Sequence, residues 1–251
     1  MLPHSTEAQD LVWQHQHPKD CSTAKFLLYH NPALGEGSHG VGSVLHLETA
    51  ILGIAMSAGR VLVEVPGTYL TDHPYCGDRN TLDSCYFRPL THCKVTAEQI
   101  EGAYKLNGTA GSPDQALFNA QKWDAIDALG QFVIADKMFP QKSRLVHNLP
   151  TPFKQMLADS GIPSKNLYYF WRSQAAAYIV RPNEQALQEI AVRKRWAGAR
   201  LMWARVEGRG GSVQPVAHAG SIEGSSRDRF LYYSQLAAVR ALHSGVGKPP
   251  K

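Results

Sequence analysis

Short apolar runs broken by glycine and proline organise the first third of the chain. Lys25 to Tyr29 is a compact apolar run that stops at His30-Asn31-Pro32, the pattern of a buried strand followed by a turn. A glycine-rich stretch, Gly35-Glu36-Gly37-Ser38-His39-Gly40-Val41-Gly42-Ser43, separates it from Val44 to Ala58. There Leu45, Leu47, Ile51, Leu52, Ile54, Ala55 and Met56 suit a mostly buried helix. Gly59-Arg60 closes that helix, and Val61 to Val65 is a β-branched run ending at Pro66. Strand, glycine loop, helix and strand in this order predict a βαβ unit with a parallel strand pair, and hence an α/β fold.

The remainder is less regular. Residues 67–93 are turn-rich and read as a stapled loop region. Helices are expected over Thr96 to Tyr104 and Asp114 to Leu129, the second started by Ser112-Pro113-Asp114, with a strand over Phe132 to Ala135. Further helices are expected over Thr151 to Ala158, Asn166 to Ile179 and Pro182 to Trp196. Beyond Gly198 the periodicity weakens, and after Gly208-Arg209-Gly210-Gly211 only Phe230 to Leu242 has helical spacing. No internal repeat is visible. The expected organisation is an N-terminal extension over 1–11, one folded unit over 12–196, and a basic, glycine-rich, partly disordered tail over 197–251.

Charge changes this picture by being uneven. The net charge of +5 would suit a nucleic-acid partner, but residues 1–192 hold 15 Lys+Arg against 18 Asp+Glu, and residues 193–251 hold 11 against 3. The excess belongs to the last segment alone, where a solvated tail explains it, and no nucleic-acid partner is expected. With 251 residues, 43% of them hydrophobic, the chain can bury a sizeable core. It contains no apolar run long enough to span a bilayer, and Met1 to Asp10 lacks the features of an export signal.

The four cysteines lie at 21, 76, 85 and 93, without the close pairs of a zinc site. Two disulfides in an oxidising compartment, or four buried thiols, fit that spacing. The sequon Asn107-Gly108-Thr109 agrees with secretion. The glycine loop is the first candidate site, because a strand feeding glycines and a helix presents backbone N–H groups and a positive helix end to phosphate. Gly35-x-Gly37-x-x-Gly40 has dinucleotide spacing, but the helix is expected to begin several residues later, and Glu64 comes too far along for a ribose ligand. His15 and His17 lie in a polar stretch, and His46 reads as a satisfied histidine near the core. No metal site and no Ser/His/Asp arrangement is expected.

Several segments carry a family resemblance. His17-Pro18-Lys19-Asp20-Cys21-Ser22-Thr23-Ala24-Lys25, the glycine loop running into Leu45-His46, Ala58-Gly59-Arg60-Val61-Leu62-Val63, and Phe87-Arg88-Pro89-Leu90-Thr91-His92-Cys93 resemble, in order, motifs of the α-1,6-fucosyltransferases that build core fucose on N-glycans. Tyr168 to Pro182, with its aromatic, Ser173-Gln174 and Arg181-Pro182 parts, is similar to the segment preceding that family's donor-binding half. The resemblance spans roughly residues 12–195, loosely in the middle.

It implies a GT-B-like, Rossmann-type half-fold in an inverting transferase that takes fucose from GDP-fucose, works without a metal or other cofactor, and acts on an N-glycan or oligosaccharide acceptor in the Golgi lumen. A homo-oligomer is compatible with it. It also implies a Cys21–Cys93 disulfide and, with it, Cys76–Cys85, contributing roughly 4 and 3 kcal/mol by loop entropy. Gly40, Gly42 and Ser43 become the donor-binding positions, with Val44 departing from a residue that is often polar there. No catalytic residue is assigned. The family's His-x-Arg-Arg or His-x-Arg-His donor motif has no counterpart. The nearest stretch, Val213 to Glu223, keeps a glutamate and lacks the arginine that would stabilise charge on the leaving diphosphate. The expectation is therefore a family domain with an incomplete donor half, inactive alone, as a shortened product or a diverged one; the alternative is a noncatalytic carbohydrate- or nucleotide-binding relative.

Overall fold

The computed structural model describes residues 4–30, 41–66, 76, 81–107, 111–136 and 149–192. The core of the glycine loop, the first part of the stapled region apart from Cys76, the last two sequon residues, the Val213 to Glu223 stretch and the expected helix over Phe230 to Leu242 lie outside them.

Four parallel strands form one sheet in the order β2-β1-β4-β3: β1 Phe26–His30, β2 Val61–Glu64, β3 Tyr104–Leu106 and β4 Phe132–Asp136. β1 pairs with β2 from Phe26↔Val61 and with β4 from Phe26↔Phe132, while β3 pairs with β4 from Tyr104↔Val133. The alternation of side chains explains why β1 is apolar throughout. Leu27 and Tyr29 join the larger core with Leu62, Val133 and Ala135, and Phe26 and Leu28 join the smaller one on the other face with Val61 and Ile134. Phe26 and Phe132 stack across the strand pair, their centroids 5.3 Å apart.

Helices α1 Ser5–Gln16, α2 Val41–Ser57, α7 Thr151–Met156 and α8 Ser164–Ile179 supply the larger core. Short helices α3 Leu82–Cys85, α4 Ala97–Glu101, α5 Pro113–Asn119 and α6 Trp123–Asp127 occupy the connections. A last helical stretch covers 184–192, within the span expected from Pro182. Among the described residues no helix is long and apolar enough to cross a membrane.

The end of α2 shows how local sequence sets the turn. Gly59 takes φ of 63°, Arg60 N–H donates to Ala55 O at 2.9 Å and Gly59 N–H to Met56 O at 3.4 Å, a Schellman closure that delivers the chain into β2. Fully buried Arg60 then reaches beneath the sheet and donates to the carbonyls of Phe26, Gln131, Ile126, Asp127 and Gly130 at 2.8–3.2 Å. It thereby joins β1 to the C-terminus of α6, where a cation also meets the negative helix end. At the outer edge of β2, the buried side-chain amide of Gln16 donates to Leu62 O at 3.1 Å and accepts from Leu62 N–H at 3.0 Å, standing in for a neighbouring strand.

Several expectations are corrected. The boundary after residue 11 falls inside α1, whose Ala8, Val12 and Gln16 are buried. The helix expected over Thr96 to Tyr104 stops at Glu101, and Tyr104 opens β3 instead, drawn into pairing with β4. The helix expected over Asp114 to Leu129 is two, parted where Gln121 adopts φ of 54°. Finally, α2 begins at Val41, not at Val44.

Candidate functional site

β1 lies between β2 and β4, so its outgoing connection runs one way, to α2 and β2, while β4 is bordered on its other side by β3. β1 and β4 are neighbours without being consecutive in the chain, and open parallel sheets take ligands at the carboxyl ends of their strands. His30, Glu64 and Asp136 end their strands at this edge.

The start of α2 belongs to the same edge. Gly42 and Ser43 sit in its first turn, and Gly40 immediately precedes it, outside the described residues. The expected gap between the last glycine of Gly35-x-Gly37-x-x-Gly40 and the helix is therefore absent. Backbone N–H groups of the first turn have no acceptor within the helix, which makes that end receptive to an anion.

Two side-chain groups flank this helix. On one, His46 Nδ1 meets Arg172 Nη2 from α8, and Arg172 Nη1 donates to the Tyr168 hydroxyl at 3.3 Å. The guanidinium is buried, which lowers its pKa, with the Tyr168 hydroxyl opposing the shift. His46 is thus partnered, as expected, but it is exposed rather than set against the core, and its Nδ1 accepts from the arginine.

The other group is acidic. Glu48, two residues further along α2, is 1% exposed, and neither carboxyl oxygen has a hydrogen-bond partner among the described residues. Burial first, then the neighbouring Glu64 and Asp83, push its carboxyl well above the ordinary range, so it is held neutral. Asp83 N–H donates to Glu64 Oε2 at 3.2 Å, and the Thr81 hydroxyl donates to Asp83 Oδ1 at 2.7 Å. Burial also raises Asp83, opposed by its bonds from Thr81, Ser84 and Leu90. A disulfide between Cys76 and Cys85, with Cα atoms 5.0 Å apart, anchors α3 beside this group. A neutral carboxyl next to an anionic pair can donate a hydrogen bond or a proton, and Arg172 is the buried cation on the same helix's flank.

Sequence reading singled out the glycines and passed over Glu48, Asp83 and Arg172. A signal for Glu48 was present: it shares the helical row of Val44, Leu47, Ile51 and Ala55, where a carboxylate on the apolar face is out of place. Asp83 and Arg172 carry no such mark.

Segments that resemble the fucosyltransferase motifs meet in space. The second disulfide joins Cys21 to Cys93, with Cα atoms 5.6 Å apart, so both pairs are those the resemblance implied. Phe87 bridges Pro182, Arg88 N–H donates to Arg181 O at 2.7 Å, and Asn183 donates to Cys85 O at 3.0 Å. Arg181 lies over the Tyr178 ring at 3.9 Å and donates to Pro89 O at 3.2 Å. No protein-family model and no curated protein matches the chain.

Proposed function

We propose that the chain is a glycosyltransferase-family domain related to the α-1,6-fucosyltransferases, which engages GDP-fucose and an N-glycan or oligosaccharide acceptor in the Golgi lumen and does not turn them over unaided. The observation that carries this reading is the convergence of the three motif-like segments: the one ending at Cys21, the one from Phe87 to Cys93 and the one at Arg181-Pro182 form one connected patch. The glycine loop leading into α2 at the carboxyl edge of the sheet supports a GT-B-like half that meets a sugar nucleotide there, through Gly40, Gly42 and Ser43.

The chemistry supports restraint about catalysis. Transfer from GDP-fucose builds charge on the diphosphate, and without a metal a fixed guanidinium is the usual means of stabilising it. Arg172 is engaged with His46 and Tyr168, while Glu48, Glu64 and Asp83 put carboxyl groups on the same edge. This favours a second reading, a noncatalytic nucleotide- or carbohydrate-binding relative.

Calorimetry of the oxidised chain with GDP and GDP-fucose, followed by fucose transfer to an N-glycan with and without a chelator, tests both. Binding without transfer supports the binding domain. Chelator-resistant transfer overturns the claim of inactivity, and no binding of nucleotide or glycan removes the family reading.

A further inference from the structure

The Cys21–Cys93 disulfide has a histidine against it. His92 Nε2 lies 3.4 Å from Cys21 Sγ, and the ligating atoms of Cys21, His92 and Cys93 all fall within 4.8 Å of one another. We propose that when this disulfide is reduced, Cys21, Cys93 and His92 form a zinc site, with a water in the fourth position, that keeps the two segments joined.

The geometry fits zinc. With zinc–sulfur bonds of about 2.3 Å and a zinc–nitrogen bond of about 2.0 Å, the S–N edge of a tetrahedron is about 3.5 Å and the S–S edge about 3.8 Å. The existing Nε2–Sγ spacing already matches the first edge. The second needs the two sulfurs to swing apart by side-chain rotation, between Cα atoms 5.6 Å from each other. His92 adjoins Cys93 in sequence and is exposed, Cys21 is half-buried and Cys93 buried, so the ion would rest on a buried thiolate with an open outer side for water.

Surrounding contacts hold the site in place. His17 stacks on His92 with ring centroids 5.4 Å apart, and Trp13 stacks on His17 at 3.7 Å. His17 Nδ1–H donates to Trp13 O at 3.0 Å, which fixes that imidazole as a wall. On the other side the Tyr178 hydroxyl donates to Leu90 O at 2.5 Å and ties the His92 segment to α8. None of these contacts depends on the disulfide, so the ligands stay near one another after its loss.

The chemistry balances with a phosphine as reductant. The phosphine and one water convert the disulfide to two thiols and become the phosphine oxide. Zinc then displaces both thiol protons and takes the Nε2 lone pair of His92, leaving two thiolates against a divalent ion. The compartment thus selects the link: covalent where thiols are oxidised, metal-mediated where they are kept reduced. The absence of close cysteine pairs hid this site from sequence, because its ligands come from two segments.

The test uses the full chain, reduced with a water-soluble phosphine under argon and titrated with cobalt(II), then zinc(II). The expected result is one cobalt with thiolate charge-transfer and intense tetrahedral d–d absorption, displaced by zinc. His92→Ala, whose fold is checked first in its oxidised form, should weaken zinc binding by at least about tenfold. Cys21→Ser should abolish the thiolate signature, and the double variant Cys76→Ser/Cys85→Ser should keep it. No metal uptake by the reduced chain, an octahedral spectrum, or affinity unchanged in His92→Ala would each overturn the proposal.

Discussion

Glu48 and Arg60 are both buried ionisable residues, and their surroundings treat them oppositely. Arg60 gives hydrogen bonds to five backbone carbonyls through its two Nη atoms, while Glu48 has no hydrogen-bond partner among the described residues. Removing the Arg60 guanidinium leaves buried acceptors unpaired, so Arg60→Met should cost about 3 kcal/mol or more in urea unfolding. Arg60→Lys should recover little of this, since one ammonium cannot span the fan of carbonyls. Glu48 predicts a pH effect. Its folded pKa is raised from an ordinary value near 4.5 by burial, Glu64 and Asp83, so the folded state holds the extra proton. That contribution is complete below about pH 4.5 and is lost as pH rises towards the folded value, by up to about 1.4 kcal/mol per pH unit. Asp83 shifts the same way and adds a smaller slope. Glu48→Gln should therefore flatten the fall in Tm between pH 5 and 8 without abolishing it. Parallel curves for variant and parent would show that Glu48 does not titrate across this range.

Gly53 decides how closely α2 and α8 approach. A Cβ there would stand 3.2 Å from Pro150 Cγ and 3.2 Å from the Trp171 ring, and that ring is 1% exposed and packs edge-on against Phe153 at 4.6 Å. Alanine gains about 1 kcal/mol of helix propensity, but overpacking against a ring that cannot move costs 1–3 kcal/mol as an order of magnitude. Gly53→Ala should thus lower Tm by a few degrees, and a rise would mean that the α2–α8 contact yields. The same elements show what was legible. β1, α2 and β2 could be read because their apolar runs are buried almost all round and end at Pro32, Gly59 and Pro66. α1 could not, because it buries only Ala8, Val12 and Gln16 of a polar sequence. β3 is three residues whose strand state comes from β4 rather than from their own pattern. At the candidate site, the glycines announced a turn before a helix. The approach of Glu48 to Glu64 and Asp83, and of His46 to Arg172, brings together residues far apart in sequence, which spacing cannot report.

At the scale of the molecule the charges are divided along the chain. Residues 1–192 carry a balance of −3, from 15 basic and 18 acidic residues, while 193–251 carry +8, from 11 and 3. Glu64 and Asp83, at the carboxyl edge of the sheet, are among those acidic residues. Polyanion affinity grows with the number of cations that release counterions, so whatever affinity the full chain has for heparin should come from the last segment and fall steeply with salt. A sugar nucleotide, bound by backbone N–H groups at α2, should depend on salt far less. The full chain should therefore elute from a heparin column at raised salt and a chain ending at Val192 should pass through, while both bind GDP alike if the start of α2 is the nucleotide site. Heparin retention by the shorter chain would place a basic surface on the folded unit and reopen the nucleic-acid reading. Loss of GDP binding on shortening would move the nucleotide's cationic partners into residues 193–251, where Arg193, Arg195 and Arg200 would be the first to replace by alanine.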